Sequence, residues 1–190
     1  MRFVFYLLMM IAVALVVGFG LSYYALTDGR LFGVAQVGPW HAWPDVGASA
    51  PNPYTRGHLA RTAAFELGQA EGLQFTATSD SDGQALSRDC SYSVQGKTPL
   101  ATFWTLVALD DAGVNIAAPD VAPAMHSANI VRTNEGDIQI NIGTRLMPGN
   151  WLELTGEGSF KLVLSLYDTA VFSGFSSDES MPVILRGDCA

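Results

Sequence analysis

The hydrophobic pattern is dominated by an apolar run at the amino end, where residues 3–26 carry no charged side chain. These 24 residues would form a helix of roughly 36 Å, enough to cross about 30 Å of hydrocarbon. The pattern therefore predicts a single transmembrane anchor over residues 1–27. Tyr23 and Tyr24 lie where an interfacial aromatic belt is expected. We assign to the anchor Phe3, Leu15, Tyr23, Tyr24 and Leu26.

The flanking charge predicts the orientation of this helix. Arg2 and the terminal amino group precede the run, and short positive ends stay in the cytoplasm. A cleaved signal peptide is the alternative, because Gly18-Phe19-Gly20 is a small-x-small triplet of the kind that is cut. Both readings place the rest of the chain outside the cytoplasm.

Beyond residue 71 the pattern changes to alternation typical of β-strands. Ile138, Ile140 and Ile142 alternate with polar residues, and residues 101–109 are apolar on both faces, as in a central strand. Glycine-containing turns separate such runs, as at Ser81-Asp82-Gly83. The pattern predicts a mainly β fold, an antiparallel sandwich or jelly roll.

Between the anchor and the strands the pattern predicts an extended connector over residues 28–51, then a short helix. Trp40 and Trp43 are costly to leave in water, so we expect them to pack on the domain, with the membrane surface as the alternative. Asn52 and Pro53 form a helix start, and the helix is predicted to run to Leu67. The exported domain then spans residues 52–190.

Composition and charge narrow the class of protein. Apolar residues make up 49%, charged residues only 15%, and the mean hydropathy is +0.24, as expected if part of the chain lies in lipid. The net charge is −8, and so acidic a chain is a poor ligand for nucleic acid. Residues 3–26 instead predict the lipid bilayer as a partner.

Cys90 and Cys189 are the two cysteines. An oxidising compartment permits one disulfide between them, and two free thiols are the alternative. Their spacing matches no zinc motif, so we expect neither a metal nor another cofactor.

Candidate chemistry gathers around the predicted short helix, as a polar cluster of Tyr54, Arg56, His58, Arg61 and Glu71. One interpretation is a site for an anionic group. The other is a helix surface held by hydrogen bonds and ion pairs, including a buried pair between Arg61 and Glu71.

Other polar and aromatic residues give weaker signals of chemistry. Asp80 and Asp82 are expected to form a turn, and a calcium-binding loop is the alternative. Trp104, Trp151, Tyr92 and Tyr167 either belong to the core or line a sugar-binding face. The sequence has no catalytic motif of the common hydrolase or nucleotide-binding types.

Several motifs, in order, resemble the bacterial family catalogued as domain of unknown function 1214. They are Gly38-Pro39-Trp40, Asn52-Pro53-Tyr54-Thr55-Arg56, His58-Leu59-Ala60-Arg61, Glu71-Gly72, Asp80-Ser81-Asp82-Gly83, Cys90-Ser91-Tyr92, Trp104-Thr105-Leu106, Pro148-Gly149-Asn150-Trp151 and Leu166-Tyr167-Asp168. The resemblance covers roughly residues 36–188. It implies a jelly-roll-like β-sandwich and a separately encoded partner domain of the family numbered 1254, and it carries no catalytic residues.

These observations lead to one expectation and two alternatives. We expect a single-pass inner-membrane protein, in a bacterial host that the resemblance implies, with its amino end cytoplasmic and a periplasmic β-sandwich that serves as a binding or assembly module of the cell envelope. The alternatives are an envelope enzyme or binding protein for carbohydrate, and an accessory subunit of a larger inner-membrane complex. The residues favour a non-enzymatic role and leave the enzyme question open.

Overall fold

The computed structural model describes residues 2–28, 33–63, 65–169 and 181–189. The helices in these ranges are α1 (Arg2–Asp28) and α2 (Pro53–Thr62). The strands are β1 (Ala35–Val37), β2 (Trp40–Ala42), β3 (Gly72–Ala77), β4 (Cys90–Gly96), β5 (Ala101–Leu109), β6 (Met125–His126), β7 (Ile138–Gly143), β8 (Asn150–Glu153), β9 (Lys161–Thr169) and β10 (Val183–Cys189). The predicted mainly β fold with one short helix and an amino-terminal apolar helix is confirmed.

The strands form two sheets. The larger has the order β1-β2-β3-β9-β5-β6, and its neighbouring strands pair antiparallel. The smaller has the order β10-β4-β7-β8, in which β7 and β8 are parallel. The predicted antiparallel arrangement therefore holds for the larger sheet, and the smaller sheet departs from it where β7 pairs with β8.

The core lies where alternate side chains of the two sheets are buried. In β7, Ile138, Ile140 and Ile142 are buried while Gln139 is exposed, as the alternation predicted. Each such side chain contributes roughly 1.5–3 kcal/mol by leaving water. The buried members of β5 follow the same two-residue period, so each sheet presents one apolar face to the shared core.

The predicted connector contributes a hairpin, β1–β2, to the larger sheet, where β2 pairs with β3. Trp40 is fully buried, and its indole Nε1–H donates to the Pro182 carbonyl 2.7 Å away. Trp43 is also buried. The expectation that both tryptophans pack on the domain is confirmed, and Trp40 joins the larger sheet to the segment that leads into β10.

Helix α2 is shorter than predicted, because it ends at Thr62 rather than Leu67. Ala63 follows in the left-handed conformation with φ 49°, and its N–H donates to the Leu59 carbonyl. This closes the helix without the glycine that usually occupies such a position. The predicted stop at Gly68 lies beyond it.

Strand register defines two ends of the domain. At one end Gly72 of β3 lies opposite Tyr167 of β9; this is the end that follows α2 in the chain, and we call it the α2 end. At the other end Ser87 bridges Ser159, just before β9 begins. Cys90 starts β4 there, and we call this the disulfide end.

Candidate functional site

The start of α2 is built from polar side chains that satisfy its backbone. Asn52 caps the helix by accepting the N–H of Tyr54 at 2.9 Å. Asp45 in turn accepts the N–H of Asn52 at 2.6 Å and the hydroxyl of Thr55 at 2.5 Å. Thr55 is fully buried, so these bonds fix the helix to the segment that follows β2.

His58 is held on two sides. Its ring stacks on Trp43, with centroids 4.7 Å apart and an interplanar angle of 23°. Its Nε2 lies 2.8 Å from the Glu66 carboxylate. An imidazole so constrained anchors the helix to the domain.

Arg61 connects α2 to α1. Its guanidinium carbon lies 5.5 Å from the centre of the Tyr23 ring, within the range of a cation–π contact. Ala25, near the carboxyl end of α1, is buried, in contrast to the long apolar side chains of that helix. The two helices therefore meet where α1 ends.

The remaining members of the predicted polar cluster do not converge on a pocket. Arg56 and Glu71 are exposed and Tyr54 is half-buried. The Glu71 carbonyl accepts the N–H of Asp168. Because Glu71 is exposed, the buried ion pair expected between it and Arg61 is not formed, and Glu66, a residue not singled out from the sequence, binds His58 instead.

Apolar and basic side chains occur together on α2 and on the segment just after it. Phe65 is fully exposed, at 105% of its reference area. It borders a shallow groove that is also lined by Val46, Leu59, Ala60, Ala63 and Glu66. We define the α2 surface as Arg56, Leu59, Ala60, Arg61, Ala63 and Phe65.

The residues assigned to the anchor from the sequence lie on α1. Phe3, Leu15, Tyr23 and Tyr24 lie on this helix, and the apolar side chains among them are exposed. Leu26 also lies in α1, but its side chain is outside the described residues. Arg2–Ala25 is long and apolar enough to cross a membrane, a property it shares with signal sequences.

The disulfide end carries a cleft of about 660 Å³. Cys90 and Cys189 form a disulfide across neighbouring positions of β4 and β10, so the predicted bond is confirmed. The charged residues lining the cleft are Arg88, Asp89, Arg145, Glu153, Glu157 and Asp188. Arg88 donates to the carbonyls of Thr155, Gly158 and Ser159, which gives it a structural role.

An ion pair that the sequence did not suggest fixes the same end. Asp80 is buried and binds Arg186 Nε at 2.8 Å. The other carboxylate oxygen accepts the N–H groups of Asp82 and Gln84. The predicted turn at this position is therefore confirmed. The Asp80 carboxylate binds the guanidinium of Arg186.

Other candidates for chemistry have structural positions. Trp104 and Tyr92 are buried in the core, which removes them from a sugar-binding face; Trp151 and Tyr167 are half-buried. Within the described ranges no three His, Cys, Asp or Glu side chains are grouped so that they could hold a metal ion.

Comparison with protein families identifies the domain. The model of the family described as "Protein of unknown function (DUF1214)" matches residues 71–171. The chain belongs to this family. The match runs from the residue before β3 to just beyond β9. The DUF1214 region thus contains Cys90 and most of both sheets, whereas α1, α2, β10 and Cys189 lie outside it.

Two solved structures resemble this DUF1214 protein, and the first of them supports its fold. The VPA0106 protein from Vibrio parahaemolyticus is 19% identical, with a TM-score of 0.59 over 74% of this chain and 36% of its own. An uncharacterized protein from Burkholderia cenocepacia is 15% identical, with a TM-score of 0.46 over 88% of this chain and 39% of its own. The chain thus spans well under half the length of either structure. No curated protein matches it.

Proposed function

We propose that this DUF1214 protein is a single-pass protein of a bacterial inner membrane that displays a jelly-roll-like domain in the periplasm, as a binding or assembly module of the cell envelope. The observation that carries the proposal is the combination of an apolar helix and a disulfide in one chain. The helix supplies attachment, and the disulfide indicates the compartment.

The exposure of α1 supports a lipid environment. Its large apolar side chains, such as Phe3, Leu8 and Phe19, are exposed on all sides. An apolar surface this extensive is unfavourable in water and favourable in hydrocarbon. Because the basic end is short and amino-terminal, the positive-inside rule favours a cytoplasmic amino end.

The disulfide supports an oxidising compartment. Cys189 is exposed, so cytosolic thiols would have direct access to the bond. Disulfides of this kind persist in the periplasm and are rare in the cytosol. Both cysteines lie after α1, so the topology and the redox state agree.

A separately encoded partner domain, of the 1254 family implied by the resemblance, fits the comparisons. The matched part is only 36% of the Vibrio chain, so that protein contains much that this domain lacks. We propose that the module binds such a partner, and that the partner is a protein rather than a nucleic acid because the net charge is −8.

Alkaline extraction of native membranes tests the anchor. The full chain is expected to stay in the membrane pellet, with an intact mass that includes residues 3–26. An Ile11→Arg/Leu15→Arg variant is the control, because each arginine at mid-helix opposes insertion by about 2.5–3.5 kcal/mol. Release of the wild-type protein at a mass lacking the helix would overturn the proposal in favour of a cleaved signal peptide.

Purification in mild detergent tests the module role. A protein that copurifies with the wild-type chain, and still does so after α1 is replaced by an unrelated membrane span, supports binding through the periplasmic domain. A partner lost with that replacement would favour an accessory subunit that uses the span itself.

A further inference from the structure

We infer that the α2 surface docks on the periplasmic face of the membrane that α1 crosses, with Phe65 at the acyl boundary and Arg56 and Arg61 against anionic phospholipid headgroups. The inference rests on the proposed function, because it needs α1 as a retained anchor. It assigns the α2 end a lipid partner beyond the anchor itself.

The apolar part of the surface supplies the first argument. Phe65 has no cover at all, and it lies beside the groove formed with Leu59, Ala60 and Ala63. A bulky aromatic side chain next to an apolar groove is typical of an interaction site. In interfacial helices such residues bury a few ångströms into the boundary between headgroups and acyl chains.

The charge of the surface supplies the second argument. Helix α2 carries Arg56 and Arg61 and no acidic residue. Glu66, the acidic residue that lines the adjoining groove, is paired with His58, and the chain as a whole has a net charge of −8. Both arginines are exposed. A basic patch on an acidic protein is attracted to anionic lipid, while the rest of the surface is repelled by it.

The position of the surface supplies the third and decisive argument. Arg61 lies over the ring of Tyr23, near the carboxyl end of the candidate span Arg2–Ala25. Tyrosines near the end of a span lie at headgroup depth. The contact therefore places the carboxyl-terminal half of α2 at headgroup depth, next to the lipid surface.

Depth measurement on the full chain tests the inference. The native cysteines are joined in a disulfide, so a Phe65→Cys substitution introduces a single free thiol for a nitroxide label. Leu146→Cys is the matched control, because Leu146 is also highly exposed, at 84%, and lies just after β7 at the disulfide end. Both labelled proteins are placed in nanodiscs containing anionic phospholipid.

The expected result is that oxygen relaxes the label at position 65 more effectively than a water-soluble nickel chelate does, with the reverse at position 146. Equal chelate access at both positions would overturn the inference. A surface covered by a second copy or a protein partner would show protection from both relaxants, together with a larger assembly mass, and would also overturn it.

A second measurement tests the role of charge. In an Arg56→Gln/Arg61→Gln variant the ratio of docked to undocked label at position 65 should fall by roughly fivefold per arginine in anionic nanodiscs. An Arg145→Gln variant, at the disulfide end, should leave it unchanged. An effect of equal size from Arg145→Gln would contradict docking through the α2 surface.

The two proposals fail in different ways. If the protein resists alkaline extraction but the label at position 65 stays in water, the anchor stands and the docking inference falls. If the protein is extracted at a cleaved mass, the anchor itself falls, whatever the label shows.

Discussion

The two ends of the domain are held together by different means. At the disulfide end a covalent bond, a buried ion pair and an arginine bound to three carbonyls join segments that are far apart in the chain. At the α2 end the links are a helix cap, a stacked ring pair and a close backbone contact, and the α2 surface is left open. The disulfide end is therefore the more heavily cross-linked of the two, and the α2 end leaves a surface open to contact.

The strongest test of the α2 end concerns its close backbone contact. A Cβ atom at Gly72 would lie 2.0 Å from the Leu166 carbonyl oxygen and 2.4 Å from Leu67 Cδ2. We expect Gly72→Ala to destabilise the domain by about 4 kcal/mol or more, measured by thermal unfolding. Gly68→Ala is the control, because its Cβ would have its nearest neighbour at 3.8 Å. Equal effects of the two substitutions would refute this contact.

The disulfide should matter almost as much for the stability of the domain, and local opening without it should begin at its own end. The bond closes a loop between residues 99 apart, for which chain entropy sets an upper figure of about 4.7 kcal/mol. We expect Cys90→Ala/Cys189→Ala to cost about 4 kcal/mol. Hydrogen exchange should accelerate first in β10 and the start of β4. Earlier opening of α2 would show that the two ends are not independent.

The buried ion pair should contribute somewhat less. Asp80→Ala leaves Arg186 without its carboxylate and two turn N–H groups without an acceptor, so we expect a loss of about 3 kcal/mol. Asp82→Ala, at an exposed position of the same turn, should change stability by less than about 0.5 kcal/mol. Denaturant titration compares the two variants, and a similar loss in both would assign the effect to the turn rather than to the pair.

The smallest predicted effect is a gain in stability at the α2 end. Ala63 has a left-handed backbone, so Ala63→Gly should stabilise the domain by about 0.5–1 kcal/mol. Ala60→Gly, three residues earlier inside α2, should destabilise it by up to about 1 kcal/mol. Thermal unfolding measures both signs, and a loss at position 63 would contradict the assigned helix end.

Much of the fold could be predicted from local patterns. The alternation of Ile138, Ile140 and Ile142 identified β7, and Asn52 with Pro53 identified the start of α2, because strand period and helix capping are properties of neighbouring residues. The parallel pairing of β8 could not be predicted in this way. The short connection over residues 144–149 favours an antiparallel hairpin. The parallel pairing of β8 with β7 that is observed depends on long-range packing.

The sequence predicted which polar residues lie on α2 but not which side chains they contact. Helical spacing placed Arg56, His58 and Arg61 on one short helix. Which groups contact these residues depends on the tertiary structure. It places Trp43 and Glu66 next to His58, and Tyr23 next to Arg61. The helix end was missed because an alanine at position 63 adopts a conformation that sequence patterns assign to glycine.

The central claim is that α1 stays attached and delivers the domain to the periplasm. The most direct test fuses alkaline phosphatase or green fluorescent protein to the carboxyl end of the full chain in a Gram-negative host. The account predicts an active phosphatase and a dark fluorescent fusion when export uses the unfolded-chain pathway, both in the membrane fraction. An inactive phosphatase together with a bright fluorescent fusion would place the domain in the cytoplasm and contradict the account.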